Sequence, residues 1–163
     1  MPNASRYFSS RGMRMGRRVG VILVGHGSTA RYNKELIEYY AEKLRPQYDY
    51  VACAFLRINE PPLNEALSRA LKEDLDEIVV LPVFLARGAH TDQDIPKMLG
   101  LPEGERTKIA DLGDRKVKIV YGHTIGKDDR VTEILRDRIG EAMRLANTGG
   151  GVNKRGGPEG SGD

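Results

Sequence analysis

Tryptophan is absent from this 163-residue chain, aromatics make up only 6% of it, and there is one cysteine, Cys53. A lone cysteine cannot close a disulfide within the chain, and it cannot build a cysteine-rich zinc site. No apolar run approaches the roughly 20 residues that span a bilayer, so no membrane partner is expected. No long low-complexity tract would leave the whole chain unable to bury a core. Acids are missing from one end. Residues 1–18 contain Arg6, Arg11, Arg14, Arg17 and Arg18 and no Asp or Glu.

That imbalance changes the meaning of the net charge. The chain carries 26 Lys and Arg against 23 Asp and Glu, a formal +3. The head accounts for +5, and in residues 147–163 Lys154 and Arg155 balance Glu159 and Asp163, so residues 19–146 carry −2. The basic balance therefore belongs to the extension and does not mark the folded part as a nucleic-acid binder. The head lacks an apolar signal-peptide core, and the chain is expected to be cytoplasmic. Seven of the last seventeen residues are glycine, a composition that cannot offset its backbone entropy by burial. The expected organisation is a disordered basic extension over 1–18, one domain over 19–146, and a disordered Gly-rich tail over 147–163.

The periodic signal lies in the middle. Apolar runs over 19–24, 50–58, 78–85 and 116–121 read as strands. Helical spacing appears over 32–45 (Leu36, Ile37, Tyr40, Leu44), where Pro46 ends the run. It appears again after Pro61 and Pro62 (Leu63, Ala66, Leu67, Ala70, Leu71). Two further helices are expected over 92–99 and 128–145, the second with Val131, Ile134, Leu135, Ile139 and Met143 on its apolar face. Pro82 inside the third strand predicts a bulge or a weakened ladder. Residues 101–115 read as a polar connection. Strands alternating with helices predict an α/β fold, a four-stranded parallel sheet flanked by helices on both faces. In such sheets ligands bind beyond the carboxyl ends of the strands. That rule selects the loops 25–31, 57–62, 86–92 and 121–127.

Those loops carry all three histidines. His26 stands in VGHGST, His90 in RGAHTD and His123 in YGHTIG. Gly25, Gly27, Gly88 and Ala89 keep the backbone beside the first two low enough for a large ligand to approach. Imidazole suits nickel, cobalt, iron and zinc, and its ordinary pKa lets it take a proton near neutral pH. A pair of histidines can thus hold a metal, accept protons, or do both in turn. Glu60 adds a carboxylate to the rim, with a helix-dipole role as the plainer reading. Ser28, Thr29 and Thr91 sit where hydroxyls cap helices and where anions are attracted. Arg57 and Arg87 offer charge-assisted hydrogen bonds. GHGS is not a dinucleotide fingerprint, because the third position after Gly27 is Ala30.

VILVGHGST, INEPPLNEAL, LPVFLARGAHTDQDIPKMLG and KIVYGHTIGKDDRVTEILRDRI together resemble the short archaeal sirohydrochlorin chelatases, members of the class II tetrapyrrole chelatases. The resemblance covers nearly all of residues 19–145. It implies a single chelatase-like domain and a lyase-class enzyme. That enzyme would insert Co2+ or Ni2+ into sirohydrochlorin, a macrocycle with eight carboxylates, without ATP, for cobalamin or coenzyme F430 and hence methanogenesis. No permanently bound cofactor is implied; the metal ion is a substrate. It also implies a homodimer and no nucleic-acid partner. His26 and His90 match the family's metal-site histidines and are expected to be both ligands and catalytic groups. Ser28, Arg57, Glu60, Arg87, Gly88, Ala89 and Thr91 are expected around the substrate. Asp94, Ile95 and Pro96 match the family's DIP, to which a structural role is assigned. No family role falls on His123, and residues 101–115 lack the histidine-rich insert of the long forms. A non-catalytic metal carrier and an iron chelatase for sirohaem remain as alternatives.

Overall fold

The computed structural model describes residues 16–148. The basic extension up to residue 15 and the tail from 149 onward lie outside the described residues. Arg17 and Arg18, assigned to the extension from sequence, belong instead to the folded part. Arg17 pairs with Glu77 at 2.8 Å, and the Arg18 N–H donates to Asp76 Oδ2 at 2.7 Å. The described residues fall into two compact units, divided between residues 126 and 127.

The first unit is built on one sheet of five strands in the order β2-β1-β3-β5-β4. The strands are β1 (Val19–Gly25), β2 (Tyr50–Phe55), β3 (Glu77–Pro82), β4 (Thr107–Asp111) and β5 (Lys116–Tyr121). β1, β2, β3 and β5 are parallel, while β4 runs antiparallel to β5. The expectation of four parallel strands is thus corrected to four parallel plus one antiparallel edge strand, inside the stretch read as a connection. β4 escapes a hydrophobicity reading because neither of its faces is buried. Thr107, Ile109 and Asp111 are exposed, and Lys108 and Ala110 only half-buried. Its polar, charged composition suits an unpaired edge. The return to β5 turns at Gly113, whose φ is +88° and whose N–H donates to Asp111 Oδ1 at 2.9 Å.

β1 is the spine. Val21 and Leu23 point to one face and Ile22 and Val24 to the other, all of them buried. A strand covered on both sides reads as a continuous apolar run. On one face α1 (Tyr32–Leu44) packs Ile37 and Ala41 with Val21, Leu23 and Phe55. The inward face of α1 differs from the expected one, since Leu36 and Tyr40 are exposed while Ile37 and Ala41 turn inward. On the other face α2 (Leu63–Ala70) and α3 (Ile95–Leu99) bury Leu63, Ala66, Ala70, Ile95 and Leu99 against Ile22, Ile78, Val80 and Ile119. Helices therefore flank both faces, as expected.

Pro82 closes β3. The ladder to β1 runs on to Val24 opposite Pro82 and then to a Val83 N–H···O Val24 bond of 2.9 Å. The ladder to β5 has already ended at Val80 opposite Tyr121. Alternation along the strand aims the nitrogen of Pro82 at the β5 side, so the missing N–H falls where no acceptor strand remains. The weakening expected from sequence is the end of one ladder.

The second unit holds α4 (Asp129–Thr148). Asp128 precedes it and accepts from the Arg130 N–H at 2.9 Å and from its guanidinium. That pairing holds the Asp128 carboxyl down at about 2. Ile134, Leu135, Ile139 and Met143, expected as a packing face, are exposed.

The end of β5 is latched to the loop after β3. The buried Tyr121 hydroxyl donates to the Thr91 carbonyl at 2.8 Å, and burial pushes it up to about 12. Tyr121→Phe leaves that carbonyl unpartnered, and we expect destabilisation of about 1–3 kcal/mol, read as a lower urea midpoint with unchanged slope. An unchanged midpoint would contradict a structural role for the latch.

Candidate active site

The strand order places a crevice where the connections diverge. From β1 the chain crosses to β2 on one side, and β3 returns on the other. The loops after β1 and β3 therefore flank the switch point at which such sheets bind ligands. His26 opens the first loop and His90 ends the second. Their rings lie edge to face, with centroids 5.0 Å apart and planes at 63°. Sixty-four positions apart in sequence, the two side chains meet because β1 and β3 are neighbours.

The loop carrying His26 is held by main-chain bonds that extend the β1–β2 pairing beyond both strands. Leu56 N–H donates to Gly25 O at 3.1 Å and Arg57 N–H to His26 O at 3.0 Å. The next residue, Gly27, has φ +84°, and a Cβ there would lie 1.8 Å from Arg57 O. Only glycine fits. Two asparagines hold the remaining amides: Asn33 Oδ1 accepts from Gly27 N–H at 2.9 Å and Asn59 Oδ1 from Ser28 N–H at 2.8 Å. Ser28 Oγ accepts from the Ala30 N–H at 3.2 Å, so it shapes the loop and does not cap α1, whose first residue is Tyr32.

The loop carrying His90 enters a π-helical turn, His90–Asp94, before α3. Single π turns of this kind are frequent at functional sites. Thr91, expected to face substrate, is buried. Its hydroxyl donates to Gly88 O at 3.0 Å and accepts from Gly88 N–H at 2.9 Å. It pins the Arg87–His90 loop, and its expected contact with substrate is corrected to that support.

Each imidazole uses the same nitrogen for support. His26 Nδ1 lies 2.8 Å from Gly27 O, and a carbonyl can only accept, so that nitrogen carries the proton. His90 Nδ1 lies 2.7 Å from Asp94 Oδ2, a carboxylate oxygen placed to accept from it. Both Nε2 atoms are left with lone pairs and no hydrogen-bond partner among the described residues. Among the described residues no group of three or more His, Cys, Asp or Glu converges on a metal position. The two imidazoles stand together without a third such group beside them among the described residues. Cys53 takes no part: burial pushes its thiol up to about 11 and it packs among the side chains under α1.

Comparison with known proteins identifies the family. The CbiX family profile matches residues 20–142. The chain belongs to the CbiX family. It is 41% identical over 139 residues to a protein of Methanopyrus kandleri named sirohydrochlorin cobaltochelatase, covering 77% of this chain and 97% of that one. A protein of the same name from Methanothermobacter thermautotrophicus is 37% identical, with 77% and 94% covered. The crystal structure of SirB from Bacillus subtilis in complex with cobalt shares the fold, at a TM-score of 0.63 and 23% identity. The match covers 76% of this chain and half of SirB.

Around the His pair of this CbiX chain the expected residues divide. Arg57 stays at the site, lining a cavity of about 340 Å³ with Leu56, His90, Asp94, Lys97 and Met98. Lys97 was not singled out from sequence, although it stands seven residues after His90, about two helical turns on. Arg87 turns elsewhere. Its guanidinium pairs with Asp92 at 3.1 Å, holds that carboxyl low, and lines a separate cleft of about 620 Å³ with Arg106, Tyr121 and His123. Gly88 and Ala89 are exposed before His90 and leave its approach open. Glu60 is exposed, and its carboxylate makes no hydrogen bond or ion pair among the described residues. No membrane-crossing helix occurs among the described residues.

Gly27→Ala is expected to push the loop off Arg57 O, moving the support of His26. Co2+ affinity should fall at least tenfold while α2 and α3 keep their hydrogen-exchange protection. Wild-type affinity would show that the close approach does not position His26.

Proposed function

We propose that this protein is a sirohydrochlorin chelatase that inserts a divalent cobalt or nickel ion into the macrocycle without ATP. The observation that carries the reading is the His26–His90 pair, two rings 5.0 Å apart with both Nδ1 atoms engaged and both Nε2 atoms open. The family and the relatives' names support this substrate class, and the geometry offers a way to work on it.

Metalation requires that the ion lose its water and that the macrocycle lose two pyrrole protons. An ion held by two imidazoles alone keeps open positions for macrocycle nitrogens, as a closed four-ligand site would not. The Nε2 atoms can hold the incoming ion and, once it has transferred, accept the displaced protons. Arg57 and Lys97, both lining the His90 cavity, are suited to carboxylates at the edge of the macrocycle. Affinity order alone does not separate cobalt from nickel at two imidazoles, so metal supply and the downstream reaction decide the product. We also propose that the enzyme works in the cytoplasm as a homodimer, whose second copy walls a macrocycle wider than one rim.

Insertion kinetics with sirohydrochlorin against Co2+, Ni2+ and Fe2+ test the activity. We expect turnover with cobalt or nickel, and a loss of about a hundredfold or more in His26→Ala and in His90→Ala with unchanged circular dichroism. Turnover with iron alone would favour the sirohaem reading. Metal binding without turnover, and without a spectral shift on adding the free macrocycle, would favour a metal carrier. Light scattering tests the assembly, and a monomeric mass at assay concentration would refute the dimer.

A further inference from the structure

We infer that Asp94 is a positioning residue for His90. Its carboxylate accepts a hydrogen bond from the Nδ1–H and so leaves Nε2, with its lone pair, as the metal-accepting nitrogen. The inference rests on the chelatase reading only for its catalytic consequence; its structural content stands on the geometry of Asp94 itself.

Asp94 stands at the junction of the π-helical turn and α3, where an aspartate ordinarily caps a helix through its side chain. It does not do so here. The residue is itself helical, at φ −67° and ψ −51°, and makes no side-chain cap bond. A cap is unnecessary because the Ile95 N–H already donates back to His90 O across the π turn. The carboxylate is half exposed, and its one partner among the described residues is His90 Nδ1, at 2.7 Å. A side chain freed from capping and spent on one imidazole nitrogen fits the carboxylate–histidine pairs that orient metal ligands. Four-residue spacing places the two groups on one face of the turn. The role given to the DIP segment from sequence is thereby divided. Ile95 is buried in the core, Pro96 opens α3, and Asp94 serves the site.

His26 provides an internal control. Its Nδ1–H is held by the main-chain carbonyl of Gly27, which no side-chain change at position 94 removes. The two histidines should therefore respond differently to the same substitution.

The test is long-range 1H–15N correlation on the full chain labelled with 15N-histidine, which separates Nδ1–H from Nε2–H rings, together with titration by Co2+ alone. We expect both His26 and His90 to be Nδ1–H in the native protein. Asp94→Ala should move His90 toward Nε2–H, leave His26 unchanged, and weaken Co2+ binding about 10–100-fold. Asp94→Asn, whose amide oxygen can accept the same bond and has no competing partner, should retain Nδ1–H at His90 and lose less than tenfold. An Nε2–H ring at His90 in the native protein overturns the inference without any variant. So does Asp94→Ala that keeps Nδ1–H at His90 or binds Co2+ within twofold of native. If these results hold while no metal enters sirohydrochlorin, the chelatase reading fails and the positioning role stands.

Discussion

The close approach of the loop after β1 to the loop after β2 is the constraint on which the site depends. Strand pairing ordinarily ends with the strands; here it runs one residue past β1, to His26, and two past β2, to Leu56 and Arg57. A backbone brought that near leaves no room for a Cβ at position 27. Gly27 is thus fixed twice, by its neighbour across the loop and by its own φ of +84°. With the main chain of His26 bonded to Arg57, the ring can move only about its side-chain torsions, and the Gly27 carbonyl restrains those as well. A side chain held at a rigid strand end is positioned more precisely than one on a free loop.

The second histidine is held by a different logic. His90 stands at the start of a helical segment, and its position depends on a stack of polar contacts beneath it. Thr91 ties the turn to Gly88, Tyr121 ties Thr91 to β5, and Arg106 lies over the Tyr121 ring while donating to Tyr121 O and Gly122 O. β4 and β5 therefore matter to the site although neither carries one of the two histidines. The antiparallel hairpin places Arg106 beside the end of β5, since the Tyr121 N–H donates to Arg106 O at 2.7 Å.

The sequence made the central strands, the rim and the two histidines legible because each signal is local. A six-residue apolar run, a proline at a helix start and a glycine beside a histidine can be read without knowing any partner. What escaped reading depended on partners distant in the chain. β4 shows no buried face of its own and exists through its ladder with β5. Thr91 looked like a rim hydroxyl, and only the chain packed over it makes it a buried strut. Leu36 and Tyr40 have helical spacing as good as that of Ile37 and Ala41, and the orientation of α1 on the sheet decides between them. Asn33 and Asn59, which hold the amides of the His26 loop, carried no motif. Asp94 did carry a signal, the His-x-x-x-Asp spacing on a helical segment, but its place in an otherwise structural motif concealed it.

Two imidazoles with no third ligating group beside them among the described residues would make a poor storage site, and that weakness fits the proposed reaction. A carrier gains from a full set of ligands, since each one slows release. An enzyme that must surrender its ion to four macrocycle nitrogens gains from the opposite. The chain has the means to build a tighter centre, with a cysteine in β2 and carboxylates at Glu60 and Asp94. Yet Cys53 is turned under α1 with its thiol held protonated, Glu60 stands apart, and Asp94 is engaged at the back of the His90 ring. A carboxylate behind an imidazole strengthens the ligand without adding a bond to the ion. Binding strength can then be set by the support while the number of bonds that must break on transfer stays at two.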